Sequence, residues 1–354
     1  MCDIEVSFIV AIYNIEKYVE ECIKSICLIR SDKIEIILVN DGSTDSSLSI
    51  CEKYSELDGR IKIISQKNKG LPEARNAGLK KAQGKWVCFV DGDDCLSDQF
   101  EEKIMKALNP EVDIICFLYK AFNRKKGKNN PLTTDRKVLL KEKEIEELRK
   151  SIMCTTDLEK KKFYNQNIMY TATWGKIYKR ESIIKGKIDF APQAAWGEDV
   201  IFTFKILKIV NRLEIIDSLG YWYRVQEESM TQKYSECAIE NYLKFMFEMK
   251  KEVDKEVDKE YLQNFWTMSA KQYLTIVRRN IFNKHNPYSL AERKQFFIET
   301  KNIELIKEAY QKADYNKFNW IIKVGAILCK YNKFYLLDLL YKIQRIKDAI
   351  KYGI

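Results

Sequence analysis

Residues 86–94 read Trp-Val-Cys-Phe-Val-Asp-Gly-Asp-Asp, an apolar run that ends in a cluster of carboxylates. A short apolar run bounded by a turn signal favours a strand buried inside a parallel sheet. Ligands of open parallel sheets bind at the carboxyl ends of the strands, and Asp91, Asp93 and Asp94 lie at such an end. The stretch therefore predicts an α/β fold and the edge of the sheet where its site lies.

Upstream of this stretch, short apolar runs alternate with helical patterns. Further strands are predicted at Val6–Ile12, Ile34–Asn40 and Ile61–Ser65, with helices at Ile15–Ile29, Asp45–Tyr54, Leu71–Ala82 and, downstream, Ser97–Leu108. Asn14 is predicted to cap the first helix, and Pro72 lies in the first turn of the third, where its missing N–H is harmless. This succession predicts a mostly parallel sheet with helices on both faces.

Polar residues follow each predicted strand. Tyr13 could stack on a base, although tyrosines at the edge of a core are common. Asp41 could accept a hydrogen bond from a base, or form an Asx turn beside Gly42. Arg75 could reach a phosphate, or be an exposed helix arginine. Each residue alone fits both interpretations, but their placement at one edge of the sheet favours a shared ligand.

The Asp-Gly-Asp-Asp segment at residues 91–94 also fits two interpretations. Carboxylate clusters bind hard divalent cations such as Mg²⁺ and Mn²⁺, which commonly share their oxygen ligands with substrate phosphates. An Asp-Gly turn whose carboxylates cap the next helix has the same composition. On these residues alone, the metal site and the turn are equally favoured.

Four segments, in this order, resemble glycosyltransferase family 2: Ser7–Asn14, Val39–Asp45, Asn68–Gly78 and Asp91–Asp94. The resemblance implies a GT-A fold, which is Rossmann-like, and a nucleoside-diphosphate sugar donor that is usually uridine-linked. It also implies a Mn²⁺ or Mg²⁺ cofactor and inversion at the anomeric carbon. By this resemblance the residues around the nucleotide are Ala11, Tyr13, Asp41, Asn68 and Arg75. Asp91 would serve the ribose and the metal, and Asp93 would bind the metal directly.

The resemblance continues to residue 231 and includes acceptor-side segments of capsule, exopolysaccharide and teichoic-acid transferases. These are Trp174–Tyr178, Trp196–Asp199, Tyr221–Arg224 and Ser229–Thr231. It implies that Asp199 is the general base, with Glu198 as the second choice or as an acceptor contact. Trp196, Arg224 and Thr231 are expected at the acceptor or the diphosphate. Without the resemblance, Glu198 and Asp199 would be interpreted as acidic first-turn residues that favour the helix dipole.

The net charge of +10 is unevenly distributed along the chain. Residues 1–110 carry 15 basic and 19 acidic residues, or −4, which leaves +14 for residues 111–354. A basic region suits an anionic partner such as lipid headgroups, a diphosphate or nucleic acid, but it is equally typical of a lysine-rich solvated surface. The predicted regions are 1–110 as the donor half of the GT-A domain, 111–231 as its acceptor half, and 232–354 as a helical, basic extension.

The segment 320–354 combines basic residues with an apolar face. Such a segment can lie on an anionic membrane surface, mediate oligomerisation, or pack on its own domain. The cysteines form no C-x-x-C pair and lie mostly in apolar runs, as expected of core residues in a reduced compartment. With no leader or membrane span in the sequence, the expected location is cytoplasmic, peripheral on the inner face of the cell membrane.

These observations predict inverting transfer of a hexose or N-acetylhexosamine from a UDP-sugar to a hydroxyl of a glycan or lipid-linked saccharide. The alternative is a basic membrane-surface or nucleic-acid-binding protein that carries a degenerate, inactive transferase domain. No nucleic-acid-binding motif is present, and the acidic edge of the first region would repel phosphate without a metal. The first strand is not followed by G-x-G-x-x-G, which disfavours a dehydrogenase. No nucleic-acid partner is therefore expected.

Overall fold

The computed structural model describes residues 3–98, 100–123, 128, 134, 136–153, 168–194, 196–225 and 234–352, with backbone only for 345–352. The chain divides into two compact units. The first is Met1–Arg149 with Tyr164–Gln226, and the second is Lys150–Phe163 with Glu227–Ile354.

The first unit contains one mixed sheet with helices against it. Its strands are β1 (Val6–Ile12), β2 (Ile34–Asn40), β3 (Ile61–Ser65), β4 (Trp86–Asp91), β5 (Cys95–Leu96), β6 (Ile114–Phe122), β7 (Lys137–Lys141), β8 (Lys176–Lys179) and β9 (Arg212–Arg224). Its helices are α1 (Val19–Cys27), α2 (Ser47–Leu57), α3 (Leu71–Lys81), α4 (Phe100–Ala107), α5 (Glu142–Ser151, which continues into the second unit), α6 (Arg180–Lys185) and α7 (Glu198–Leu207). The α/β architecture predicted from the sequence is confirmed.

The sheet order is β3-β2-β1-β4-β8-β6-β9-β5, and β7 pairs with β9. The strands β3, β2, β1 and β4 are mutually parallel, because α1, α2 and α3 return the chain between them. β8 is antiparallel to both of its neighbours and joins this half to the parallel pair β6–β9. In the register, Ala11 lies beside Asp91 and Ile12 beside Asn40, so the loops that follow these strands emerge side by side.

The core of the first unit lies between the sheet and its helices. Every residue of β2 is buried, as expected for a central parallel strand covered on both faces. Phe8, Phe100 and Phe117 form a chain of edge-to-face contacts between β1, α4 and β6. Burying each such side chain contributes about 1.5–3 kcal/mol, so this contact holds the two halves of the sheet against one helix.

Two local predictions, both at the start of the first helix, differ from the structure. Helix α1 begins at Val19, and Asn14 does not cap it. Asn14 instead has a positive φ of 51° and accepts a hydrogen bond from the N–H of Thr44, so it joins the loops after β1 and β2. In its described part, the stretch 123–150 contains β7 and most of α5. Pro72 lies in the first turn of α3, as predicted.

The second unit is helical, which confirms the predicted helical C-terminal region. It comprises α8 (Ala238–Val253), α9 (Lys259–Ile276) with a π-helical turn at Val277–Ile281, α10 (Leu290–Lys301), α11 (Glu304–Lys312), α12 (Trp320–Lys330) and α13 (Phe334–Tyr352). Buried tyrosines link its helices: Tyr242, Tyr273 and Tyr310 pack in sequence, with centroids 6.1 and 5.9 Å apart. Among the described residues, no helix is both long and apolar enough to cross a bilayer.

Candidate active site

Arg75 lies at the centre of a cluster of carboxylates in the first unit. Its Nη1 donates to Glu198 Oε1 at 2.9 Å and to Asp199 Oδ1 at 2.7 Å, and its Nη2 donates to Asp91 Oδ1 at 2.6 Å. The arginine side chain is only 2% exposed, and the ring of Phe190 covers it at 5.2 Å. A buried guanidinium whose fork contacts several carboxylates fixes their relative positions. The segments Asp91–Asp94 and Trp196–Asp199 therefore meet at Arg75.

The charges of this cluster do not balance. One arginine faces Asp91, Glu198 and Asp199, so full ionisation would leave two uncompensated negative charges in a largely buried site. Burial, reinforced by the charge of Asp199, raises the pKa of Glu198 to about 8. Burial also raises the pKa of Asp91, although Arg75 opposes the shift. The cluster therefore favours the uptake of a proton or of a cation.

Asp199, the predicted general base, lies in the first turn of α7 with its side chain 23% exposed. Its Oδ1 accepts hydrogen bonds from Arg75 and from the hydroxyl of Thr173, the latter at 3.0 Å. No hydrogen bond from the described residues reaches Oδ2, which leaves that oxygen able to accept a proton from a ligand. Glu198, the second choice, is largely buried and contacts Arg75.

The turn before α7 explains how both carboxylates point inward. Gly197 has a φ of 80°, in the left-handed region that favours glycine, and it is the N-cap of the helix. The chain thus turns sharply into α7 and places its acidic first turn against Arg75. Acidic residues in this turn also complement the helix dipole, as the structural interpretation of Glu198 and Asp199 expects.

The Asp-Gly-Asp-Asp segment forms a tight turn after β4. A Cβ on Gly92 would lie 2.4 Å from Cδ1 of Ile15 and 2.9 Å from the carbonyl oxygen of Ala11, so only glycine fits. Asp93 is partly exposed, whereas Asp94 is buried and accepts the backbone N–H of Arg224 at 2.7 Å. Burial, with the nearby charges of Asp93 and Asp91, raises the pKa of Asp94 well above its ordinary range.

Arg224 holds this turn by hydrogen bonds to Asp93 and Asp94. Its Nε donates to the carbonyl oxygen of Asp93 at 2.6 Å and its Nη2 to Glu21 Oε2 at 2.6 Å, and its guanidinium lies 4.5 Å from the centre of the Phe122 ring. The residue is 7% exposed. Its side chain thus holds the aspartate turn through the backbone of Asp93.

The carboxylates of the turn suit a hard divalent ion that also binds a substrate phosphate. Among the described residues, no group of three His, Cys, Asp or Glu side chains could hold a metal by itself. Asp91 is 25% exposed beside the partly exposed Asp93, which provides one or two accessible carboxylates. Mg²⁺ and related ions are commonly bound by one or two carboxylates together with substrate phosphates, so the residues fit an ion that arrives with a diphosphate.

The remaining predicted nucleotide residues lie around the same edge of the sheet. Tyr13 is 48% exposed, Asn68 is exposed and Ala11 is partly exposed. Asp41 is buried, and its carboxylate accepts the backbone N–H groups of Lys69 and Gly70 at 2.9 and 2.8 Å. Asp41 therefore shapes the loop that carries Asn68.

Of the predicted acceptor-side residues, Trp196 is 36% exposed directly before Gly197, and Thr231 lies outside the described residues. Sequence reasoning missed Thr173, which donates to Asp199, and Tyr221, whose hydroxyl lies 3.1 Å from the backbone nitrogen of Asp91. Trp174 stacks on Tyr221 at 4.7 Å. Tyr221 lies inside a segment singled out as an acceptor-side element, whereas Thr173 lies one residue before such a segment.

Known proteins similar to this chain are glycosyltransferases. The sequence profile described as "Glycosyl transferase family 2" matches residues 7–186. The glycosyltransferase EpsJ of Bacillus subtilis (strain 168), itself uncharacterised, is 33% identical over 247 residues, covering 69% of this chain and 68% of that protein. The cholesterol galactosyltransferase of Borreliella burgdorferi is 29% identical over 350 residues, covering 93% of this chain and 92% of that protein.

A solved structure with a similar fold matches most of this chain. The crystal structure of S. aureus TarS 1-349 in complex with UDP-GlcNAc matches with a TM-score of 0.66 at 20% identity, covering 97% of this chain and 92% of that one. The similarity establishes a shared GT-A-like fold with a helical C-terminal region. With the family profile and the relatives taken together, the chain belongs to glycosyl transferase family 2.

Proposed function

We propose that this glycosyltransferase moves a hexose or N-acetylhexosamine from a UDP-sugar to a hydroxyl of a glycan or lipid-linked saccharide, with inversion, during surface-polysaccharide synthesis. The observation that carries the proposal is the shared ion-pair cluster of Asp91, Arg75 and Asp199. It brings a carboxylate of the donor-side turn and a candidate base of the acceptor side to opposite ends of one guanidinium. A direct displacement requires these two groups close together.

The donor is assigned to the edge formed by the loops after β1 to β4. The solved TarS complex contains UDP-GlcNAc, which supports a uridine-linked donor in a chain of the same fold. Tyr13 is exposed enough to stack on the uracil, and Asn68 offers an amide at the neighbouring loop. Asp41 and Arg75, both buried, are assigned to shaping this edge.

Asp199 is proposed as the general base. Its Oδ2 takes the proton of the acceptor hydroxyl while the oxygen of that hydroxyl forms a bond to the anomeric carbon. The bond between that carbon and the diphosphate oxygen breaks, and the nucleoside diphosphate leaves on the opposite face. Attack and departure on opposite faces invert the anomeric configuration.

Asp93 and Asp91 would hold Mn²⁺ or Mg²⁺. When bound, such an ion neutralises negative charge that develops on the departing diphosphate. The protein's own part is to present the carboxylates: the close packing of Gly92 and the hydrogen bonds of Arg224 fix the turn that carries them.

The helices α12 and α13 are proposed to meet an anionic membrane surface at the cytoplasmic face. Trp320 and Ile327 on α12 are 63% and 40% exposed, and Leu336, Leu339 and Ile343 share one face of α13 at 53%, 53% and 45% exposure. Basic side chains on the same two helices and the turn between them, Lys323, Lys330, Lys333 and Lys342, suit acidic headgroups. The relative named for galactosylating cholesterol, whose match covers 93% of this chain, supports an acceptor located at a membrane.

A thermal-stability panel tests the donor proposal. The protein is heated with Mn²⁺ and each of UDP, UDP-glucose, UDP-galactose, UDP-GlcNAc, UDP-GalNAc, GDP-mannose and dTDP-glucose. A ligand that binds only the native state raises the melting temperature by mass action. UDP and the UDP-sugars should therefore raise it, whereas GDP-mannose and dTDP-glucose should not. A rise with GDP-mannose alone, or with no nucleotide sugar, would contradict the assignment of a UDP-linked donor.

A further inference from the structure

We propose that Thr173 is a positioning residue for the general base: together with Arg75 it holds Oδ1 of Asp199, so that Oδ2 is the oxygen that accepts the acceptor's proton. The inference rests on the proposed function of Asp199. The Thr173 hydroxyl lies 3.0 Å from Oδ1, and Arg75 Nη1 lies 2.7 Å from the same atom. Two donors on one oxygen restrict rotation of the carboxylate about its last bond.

The loop that carries Thr173 is itself held rigidly. Lys176 is buried, and its ammonium donates to the carbonyl oxygens of Met169, at 2.7 Å, and of Ala172. The Tyr178 hydroxyl donates to the carbonyl oxygen of Thr173 at 3.2 Å. Because Lys176 and Tyr178 belong to β8, in the middle of the sheet, the position of Thr173 is set by the sheet.

A second hydrogen bond joins this loop to the helix of the base. Thr203, one turn after Asp199 in α7, donates from its hydroxyl to the carbonyl oxygen of Thr171 at 3.2 Å. The bonds Thr173–Asp199 and Thr203–Thr171 therefore run in opposite directions between the same two segments. A shift of α7 along the loop would break both hydrogen bonds. Together they therefore fix the position of the helix relative to the sheet.

The consequence is a base with one productive orientation. Thr173 is fully buried, so it does not contact a substrate. Its hydroxyl occupies Oδ1 of Asp199, which leaves Oδ2 to accept the proton. Arg75 also holds Asp91, so the orientation of the base is coupled to the turn on the donor side. A correctly oriented base affects the chemical step more than substrate binding.

The test compares Thr173→Val, which keeps the shape and removes the hydroxyl, with Thr173→Ser, which keeps the hydroxyl. We expect Thr173→Val to lower kcat about tenfold, the effect of one hydrogen bond to a charged group, while the KM for the donor stays within about twofold. Thr173→Ser should restore most of kcat.

A double-mutant cycle separates this role from a structural one. In the background of Asp199→Asn, Thr173→Val should have no further effect on the residual rate, because both changes act through the same carboxylate. Thr275→Val, which removes a hydroxyl that donates within α9, is the matched control and should leave kcat unchanged. Melting temperatures of all variants check that each is folded.

Equal losses in Thr173→Val and Thr173→Ser, or a wild-type kcat in Thr173→Val, would overturn the positioning role. An additive effect of Thr173→Val in the Asp199→Asn background would overturn it as well. The general-base proposal for Asp199 has its own test. A normal kcat in Asp199→Asn would contradict that proposal, whatever the effect of Thr173→Val.

Discussion

Arg75 and Asp199 are 124 residues apart in the chain, and Nη1 of the arginine lies 2.7 Å from Oδ1 of the aspartate. The arginine comes from the helix after β3, whereas the aspartate opens the helix that precedes β9. Burial alone would lower the pKa of Arg75, but the charges of Asp199, Asp91 and Glu198 outweigh it and raise that pKa, so the guanidinium stays charged at any accessible pH. Arg75 therefore keeps the positive charge that pairs it with carboxylates of both motifs.

Replacing Asp199 by Asn should remove the proton acceptor while preserving the shape of the site. We expect kcat to fall by ~10²-fold or more, with binding of the nucleotide sugar retained, as for the loss of a general base. Steady-state kinetics and calorimetric titration of the donor measure the two effects. The control is Asp189→Asn, which alters an exposed aspartate paired with Lys205. A normal kcat in Asp199→Asn would move the role elsewhere, with Glu198 as the next candidate.

Replacing Asp93 by Ala should abolish metal-dependent turnover, because a partly exposed carboxylate of the β4 turn is lost. Wild-type activity should disappear with a chelator and return with added Mn²⁺, whereas the variant should stay inactive at saturating metal. Asp98→Ala, in the following turn, serves as the control and should behave as wild type. Wild-type activity that is unaffected by a chelator would rule out the metal role.

The stability of the ligand-free protein should depend on pH through Glu198. Burial, with the charge of Asp199, raises the pKa of Glu198 from 4.5 to about 8 in the folded state. The folded state then binds more protons than the unfolded state, so the contribution of Glu198 to stability is present below about pH 4.5 and is lost as the pH rises through about 8.

Urea denaturation of the wild type and of Glu198→Gln across this window measures that contribution. The wild type should lose free energy of unfolding relative to the variant between about pH 5 and about pH 8, because the amide does not titrate. Parallel pH dependences of the two proteins would show that Glu198 is already ionised at the lower pH, with the excess proton carried by another carboxylate.

Replacing the exposed residues Leu336, Leu339 and Ile343 of α13 by Gln should weaken binding to vesicles that contain acidic lipids. Each side chain is about half exposed, so the substitutions remove apolar area from the surface rather than from the core. Sedimentation with phosphatidylglycerol vesicles measures the effect. Leu28→Gln with Leu57→Gln, at 57% and 71% exposure in the first unit, is the matched control. Equal sedimentation of both sets would favour a solvated or oligomeric face.

Several features of the fold could be predicted because they depend on local pattern. The bounds of β1, β2 and β3 agree with the predicted strands, and β4 begins at Trp86, where the apolar run begins. Strands buried on both faces are continuous apolar runs, and the residues after them have to be polar if the edge binds a ligand. The predicted start of α1 was wrong because the carboxamide of Asn14 accepts a hydrogen bond from Thr44 in a neighbouring loop. A sequence pattern does not show contacts between separate loops.

The sequence by itself determined the α/β order of the first unit, the helical second unit and the set of motifs that mark the family. Only the tertiary structure decided where individual side chains point. Arg75 and Arg224 were both expected at the ligand. Arg75 is buried among carboxylates, and the side chain of Arg224 donates to the backbone carbonyl of Asp93. The physical reason is that strand and helix patterns arise from neighbours along the chain, whereas the partners of a charged side chain are set by packing between distant segments.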